Sequence, residues 1–250
     1  GGVSTAPGEG IEPEQARLWG LGQVAGLEWP AGWGGLVDIG PGWDVPALLG
    51  ALASGEDQLA VRDGGVLARR LLRAPAASGR TWSPRGTVLV TGGTGGIGRH
   101  LARWLAESGA ERLVLVSRSG SAEGLSDLPV PVSVVACDVA DREALAAVVA
   151  GVAGDLRAVV HAAGVAAYRP IAELSVEELE DVVRAKELGA RWLDELTADL
   201  DLDAFVLFSS GAATWGGASQ GAYAVGNAYL DALAVDRRGR GLPATSLAWG

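Results

Sequence analysis

The feature that most constrains this chain is the string Thr91-Gly92-Gly93-Thr94-Gly95-Gly96-Ile97-Gly98. It follows an apolar run, Thr87 to Val90, and leads into a helix-patterned stretch, Ile97 to Glu107. Glycines at this density permit a tight turn and let the backbone approach a pyrophosphate. The N-terminus of the following helix supplies free N–H groups and a partial positive charge. A glycine string alone is a weak signal. Between a strand and a helix, at the opening of a βαβ unit, it has the context that dinucleotide binding requires.

Past residue 85 the pattern repeats as strand and helix. Short apolar runs at Arg112 to Val116, Val132 to Ala136, Ala158 to His161, Ala204 to Phe208 and Thr245 to Ala248 predict strands. Arg142 to Val152, Val176 to Leu196 and Ala222 to Arg238 predict helices between them. Apolar runs without alternation predict strands covered on both faces. The fold class is therefore α/β: a Rossmann-like, doubly wound parallel sheet.

A boundary is expected near Ala74 to Arg85, where Pro75, Ser78, Gly79 and Pro84 interrupt apolar periodicity. It divides the chain into 1–80 and 81–250. In the first part, Pro13 to Glu28 predicts a helix with Pro13 in its first turn and Ala16, Trp19, Val24 and Leu27 as its apolar stripe. Gly35 to Ile39 predicts a strand, and Gln58 to Arg62 with Val66 to Leu71 predicts a hairpin around Asp63-Gly64-Gly65. This part carries no catalytic constellation.

The formal net charge of −10 argues against nucleic acid as a partner, since phosphate contacts need clustered Lys and Arg. The run Arg237, Arg238, Arg240 reads as a solvated helix end. One cysteine, Cys137, excludes an internal disulfide and suits a reducing, cytoplasmic compartment. No stretch approaches the roughly 20 apolar residues needed to span a bilayer, no signal peptide is seen, and neither a membrane nor a metal site is expected. A start at Gly1-Gly2-Val3, the absence of Met and an end at Gly250 directly after a strand-like run suggest an internal piece of a longer protein.

The second strand ends Val116-Ser117-Arg118-Ser119, where Rossmann proteins read the adenosine ribose. An acidic residue there accepts from a 2′-hydroxyl, whereas Arg accommodates a 2′-phosphate, so Arg118 points to NADPH. If such a cofactor delivers hydride to a carbonyl, the reaction needs an acid for the developing alkoxide and hydrogen bonds to the carbonyl oxygen. Free Tyr, with a pKa of roughly 10, needs a nearby cation to serve near neutrality. Ser210 follows a strand at the ligand-binding end of the sheet, and Tyr223 and Asn227 are four apart on one helix face. The cation is Lys186, the only lysine in a chain that otherwise uses Arg.

The glycine spacing resembles that of short-chain dehydrogenases. Those enzymes carry Lys four residues after the Tyr and Asn on the preceding helix; here Lys186 precedes and Asn227 follows. That exchange resembles the ketoreductase domains of modular polyketide and related fatty-acid synthases, as do the strings Phe208-Ser209-Ser210, Ala222-Tyr223 and Asn227-Ala228-Tyr229-Leu230-Asp231. The likeness runs from about Thr87 to Gly250, and residues 1–80 resemble the C-terminal part of the family's truncated, cofactor-free structural subdomain.

The resemblance implies roles. Tyr223 donates the proton, Ser210 hydrogen-bonds the carbonyl oxygen, Lys186 lowers the Tyr pKa and binds the nicotinamide ribose, and Asn227 supports a proton relay. Asp138-Val139 contacts the adenine, and His161-Ala162-Ala163-Gly164 stands beside the cofactor in place of the family's Asn-Asn-Ala-Gly, with His161 structural. The Leu-Asp-Asp motif of B-type members is replaced by Ala166, Ala167 and Tyr168. Trp215, eight residues before the Tyr, marks the A type, and Gln220, where a His marks epimer selection, implies the A1 subtype. The implied reaction is reduction of a β-ketoacyl chain on an acyl carrier protein to an L-3-hydroxyacyl thioester without C2 epimerisation. Partners would be that carrier protein and other domains of the same synthase, and a segment following Gly250 would close over nicotinamide and substrate. Two other readings are a redox-inactive scaffolding module of a synthase and a free-standing short-chain reductase.

Overall fold

The computed structural model describes residues 1–42, 44–73, 81–121 and 123–250. Pro13 stands in the first turn of α1 (Pro13–Glu28), where its missing N–H leaves no helical bond unmade. β1 (Leu36–Ile39), α2 (Val45–Leu52), β2 (Gln58–Arg62) and β3 (Gly65–Ala68) follow. They form a three-stranded sheet in the order β1-β2-β3, with β1 parallel and β3 antiparallel to β2. Asp44 caps α2 by accepting from the Ala47 N–H. Within α1, Ala16, Trp19 and Val24 are buried as expected, whereas Leu27 is 54% exposed. Of the expected linker, residues 74–80 lie outside the described residues, and 81–85 carry no regular structure.

The second sheet has six parallel strands: β4 (Thr87–Thr91), β5 (Arg112–Ser117), β6 (Val132–Ala136), β7 (Leu156–His161), β8 (Ala204–Ser210) and β9 (Thr245–Trp249). Their order is β6-β5-β4-β7-β8-β9. The chain winds outward from β4 in both directions, so the switch point lies between β4 and β7, where such sheets bind ligands beyond the strand C-termini. The helices are α3 (Gly96–Ser108), α4 (Arg142–Ala150), α5 (Val176–Thr197), the short α6 (Ala212–Trp215) and α7 (Gly221–Gly239).

Strand side chains alternate between two covered faces. Leu89, Val114 and Val159 join Leu145, Leu193 and Leu230 in one core. Val88, Val90, Leu113, Leu115 and Val160 join Ala102 and Leu105 of α3 in the other. Burial on both sides explains the unbroken apolar runs of β4, β5 and β7. The edge strands β6 and β9, expected to be covered on both faces, are only partly buried because each has a neighbour on one side alone.

Helix α1 docks on α7. At Gly20 a Cβ would stand 2.5 Å from the Ala224 carbonyl oxygen, so only glycine permits this approach. Arg17 pairs with Glu187 of α5 at 2.8 Å, and the Gln23 amide donates to the Ala213 carbonyl at 2.9 Å. The basic run at the end of α7 is not uniformly solvated. Arg237 is fully buried, its guanidinium 3.9 Å from the Phe205 ring centroid and paired with Asp194. Arg240 Nη2 donates to both Asp194 oxygens at 2.8 Å. A buried carboxylate from α5 and an aromatic face turn this residue into a core ion pair.

Candidate active site

The C-terminal ends of β4 and β7 frame a cleft of about 480 Å³. Thr94, Gly95, Gly96, Ile97 and Gly98 form one wall, Ser117, Arg118, Asp138 and Val139 the far end, and Ala162, Ala163 and Gly164 the other wall. Gly92 turns at φ +68°, and a Cβ there would lie 2.8 Å from the Ala162 carbonyl oxygen. Gly98 packs directly on the Gly92-Gly93 backbone, while a Cβ on Gly96 would meet nothing within 4 Å. The glycines therefore divide: two allow close backbone packing, and one keeps the cleft open.

No side chain caps α3, so the N–H groups of its first turn are left for a ligand. Arg118 is exposed, and among the described residues its guanidinium pairs with no carboxylate. Asp138 is held at the rim by Arg184 at 2.9 Å and accepts from the Ala140 N–H at 3.0 Å. Open glycine backbone, an uncapped helix end and an unpaired cation together fit a phosphorylated dinucleotide. Val116 and Ser119, which flank the expected ribose-reading pair, line the cleft as well, together with Cys137, Val165 and Ala185, to which sequence reasoning gave no part in it. For these three the signal was only their place after the ends of β6 and β7 or on the helix of Lys186.

A buried hydrogen-bond chain supports this cleft. The Ala163 N–H donates to Thr91 Oγ1 at 3.3 Å, and Thr91 Oγ1 lies 2.7 Å from His161 Nδ1. His161 Nε2 lies 3.0 Å from the Lys186 carbonyl. A carbonyl only accepts, so Nε2 carries the proton and Nδ1 accepts from the threonine hydroxyl. Complete burial, then the neighbouring Lys186 charge, hold His161 down to a pKa of about 3, so the ring is neutral.

Lys186 lies on the buried face of α5, threaded between two glycines. A Cβ on Gly164 would stand 2.8 Å from its Cε, and a Cβ on Gly226 would stand 3.4 Å from its Cβ and Cδ. Its Nζ donates to the Phe208 carbonyl at 2.8 Å and stands 5.4 Å from the Tyr223 ring centroid. Burial lowers its pKa to about 8, against the pull of Asp231 in the other direction.

Asp231 lies on α7 at the third point of the 223, 227, 231 spacing. It accepts from Ser246 Oγ at 2.5 Å, and burial raises its own pKa. Asn227 is fully buried. Its amide donates to the Tyr223 carbonyl at 2.8 Å, its own carbonyl accepts from Ser209 Oγ at 3.3 Å, and its Oδ1 has no partner among the described residues.

Ser210 ends β8, and its Oγ accepts from the Ala212 N–H at 3.2 Å, which leaves its own proton free to donate. Trp215 ends α6 and folds its indole back over Gly211, where a Cβ would stand 2.7 Å from the ring; it is 59% exposed. Gln220 precedes α7, its side chain against Gly217. Lys186 Nζ thus stands near the Tyr223 ring and holds the Phe208 carbonyl two residues before Ser210, and Trp215 and Gln220 lie on the segment joining Ser210 to Tyr223.

Strand order and the cleft at the switch point define a Rossmann-type α/β fold. Family comparison narrows this. The model described as KR domain matches residues 86–250, and the model described as the Rossmann fold domain of polyketide synthase extender module SpnB matches residues 1–71. The chain belongs to the KR domain family of modular polyketide synthases. Polyketide synthase GfsA of Streptomyces halstedii is 55% identical over 259 residues, which cover 96% of this chain and 4% of that protein. Erythronolide synthase EryA3 of Saccharopolyspora erythraea is 50% identical over 266 residues, covering 99% of this chain and 8% of that protein. The chain thus spans less than a tenth of either synthase. A solved A-type ketoreductase from a modular polyketide synthase superposes with a TM-score of 0.92 at 52% identity, over 100% of this chain and 57% of that one. A C2-type ketoreductase gives 0.90 at 43% identity, over 99% and 57%. Among the described residues no helix is long and apolar enough to cross a membrane.

Proposed function

We propose that this chain uses NADPH to reduce the β-keto group of a polyketide intermediate carried on an acyl carrier protein. The product is an L-3-hydroxyacyl thioester, formed without epimerisation at C2. The observation that carries the reading is the Lys186 ammonium 5.4 Å from the Tyr223 ring, beside a cleft suited to a dinucleotide.

Residues 81–250 are the catalytic subdomain and 1–80 the structural one. The backbone of Gly92 to Gly98 would hold the pyrophosphate, Ser117 and Arg118 the 2′-phosphate, and Asp138 and Val139 the adenine. Ala162 to Gly164, Lys186 and Tyr223 would flank the nicotinamide ribose, with His161 buried behind them as a structural residue. When bound, NADPH supplies the hydride equivalent that reduces the carbonyl carbon. The Tyr223 hydroxyl donates a proton to the carbonyl oxygen. Ser210, its lone pair engaged by the Ala212 N–H, donates a hydrogen bond to that same oxygen. Lys186 offsets the charge left on the phenol, and burial makes the effect stronger than in water. The unpartnered Oδ1 of Asn227 supports a role in a proton relay.

Backbone likeness extends to both A-type and C2-type relatives, so the A1 reading rests on side chains. The indole of Trp215 over Gly211, next to Ser210, favours entry of the acyl chain from one side. Gln220 replaces the histidine expected for epimer selection. A cytoplasmic location, with other domains of a synthase as partners, goes with this function. Chiral analysis of the reduced product from a diketide thioester tests it: an L-3-hydroxy product with the C2 configuration kept is expected, and a D-3-hydroxy product overturns the stereochemical reading.

A further inference from the structure

We propose that Glu28, the last residue of α1, is a positioning residue that sets the shape of the substrate entrance above Tyr223. Its carboxylate bridges two segments that belong to different parts of the fold. Oε1 accepts from the Ser219 N–H at 2.6 Å, and Oε2 accepts from the Ile171 N–H at 2.7 Å. Ser219 is the only non-glycine residue at positive φ among the described residues, at +63°. A serine in the left-handed region costs free energy unless its surroundings hold it there.

Two further contacts tie these segments together. The Arg169 N–H donates to the Ser219 carbonyl at 2.8 Å, and Arg169 forms a bridge with Gln220. Ile171 packs against Gly221, where a Cβ would stand 2.9 Å from its side chain, and shares an apolar cluster with Tyr223 and Val24. Ser219 lies four residues before Tyr223 on the segment that carries Trp215 and Gln220. Glu28 therefore fixes both the turn that starts the Tyr223 helix and the segment facing it, from outside the sheet that binds the cofactor. A carboxylate suits this place because both oxygens accept; a glutamine would turn an amide N–H toward one of the two donors.

The inference rests on the ketoreductase reading, and the experiment separates the two. Wild type, Glu28→Gln and Glu28→Asp are compared on a racemic 2-methyl-3-oxoacyl thioester, by product diastereomer ratio, KM for the ketone, kcat and Kd for NADPH. A wild type that fails to reduce the ketone removes the ketoreductase reading itself. Given active wild type, Glu28→Gln is expected to raise KM for the ketone about five- to tenfold, the worth of one lost hydrogen bond. It should also erode the diastereomer ratio and leave the Kd for NADPH unchanged. Glu28→Asp, one methylene too short to reach both donors, should shift KM and ratio in the same direction by less. A lowered Tm with wild-type KM and ratio in the variants overturns the proposal, as does an equal loss of NADPH affinity. Should Glu28→Gln not fold, Glu28→Asp decides by the same criteria.

Discussion

Lys186 Nζ stands 5.4 Å from the centroid of the Tyr223 ring while donating to the Phe208 carbonyl at 2.8 Å. One ammonium thus touches the helix that carries the phenol and the strand that ends in Ser210. Because it is the chain's only lysine, its titration can be followed without overlap from another. In cofactor-free protein carrying isotope-labelled lysine, the resonance should titrate near pH 8. Burial lowers this pKa, so the native state loses the proton before the unfolded chain does as pH rises. The cost of the buried charge is felt in full below about pH 8 and relieved above it. Asp231 acts the other way, so Asp231→Asn should move the midpoint lower still. A midpoint at the ordinary lysine value in both proteins would contradict this environment.

His161 makes a prediction of the same sign in acid, since burial lowers its pKa as well. Its folded pKa of about 3 lies below the ordinary 6.5. The unfolded chain therefore takes up the proton first as pH falls. The stability contributed is present above pH 6.5 and is lost toward pH 3, by about 1.4 kcal/mol per pH unit at its steepest. His161→Leu strips partners from the Thr91 hydroxyl and the Lys186 carbonyl, and should cost about 3 kcal/mol at neutral pH. Denaturant titrations from pH 7 to pH 4 should then give a shallower acid slope for the variant. Parallel slopes would exclude a neutral buried imidazole.

Arg118 lines the cleft, and on the proposed reading it meets the 2′-phosphate. Arg118→Ala should weaken NADPH binding by roughly tenfold to a hundredfold, the worth of a charge-assisted contact. NADH binding should change little. Fluorescence titration with both cofactors checks this, and equal losses for the two would take Arg118 out of phosphate recognition.

Much of this was legible before any coordinates. The bounds of α1 and β6 match the expected ones, and β4 differs by one residue, because Pro13 and unbroken apolar runs mark strong local preferences. The short α2 and α6 were not foreseen: α2 is apolar almost all round and α6 has four residues, so neither shows a helical period. The Arg237 run was misread because charge is visible in sequence and burial is not. The partners that bury it, Asp194 and Phe205, lie more than thirty residues away on other elements. Within the site, the lysine and the tyrosine singled out by their pattern stand close, with Lys186 Nζ 5.4 Å from the Tyr223 ring centroid. Asp231 could have been found from its spacing four beyond Asn227. Glu28 could not, since both its partners are backbone N–H groups, which sequence does not mark.

The most direct test follows NADPH absorbance with a β-keto thioester for wild type and Tyr223→Phe. Wild type should consume NADPH in step with the hydroxy product. The variant should bind NADPH as tightly, yet reduce the ketone about a hundredfold or more slowly, the usual worth of a positioned general acid. Turnover near the wild-type rate in the variant would contradict the account.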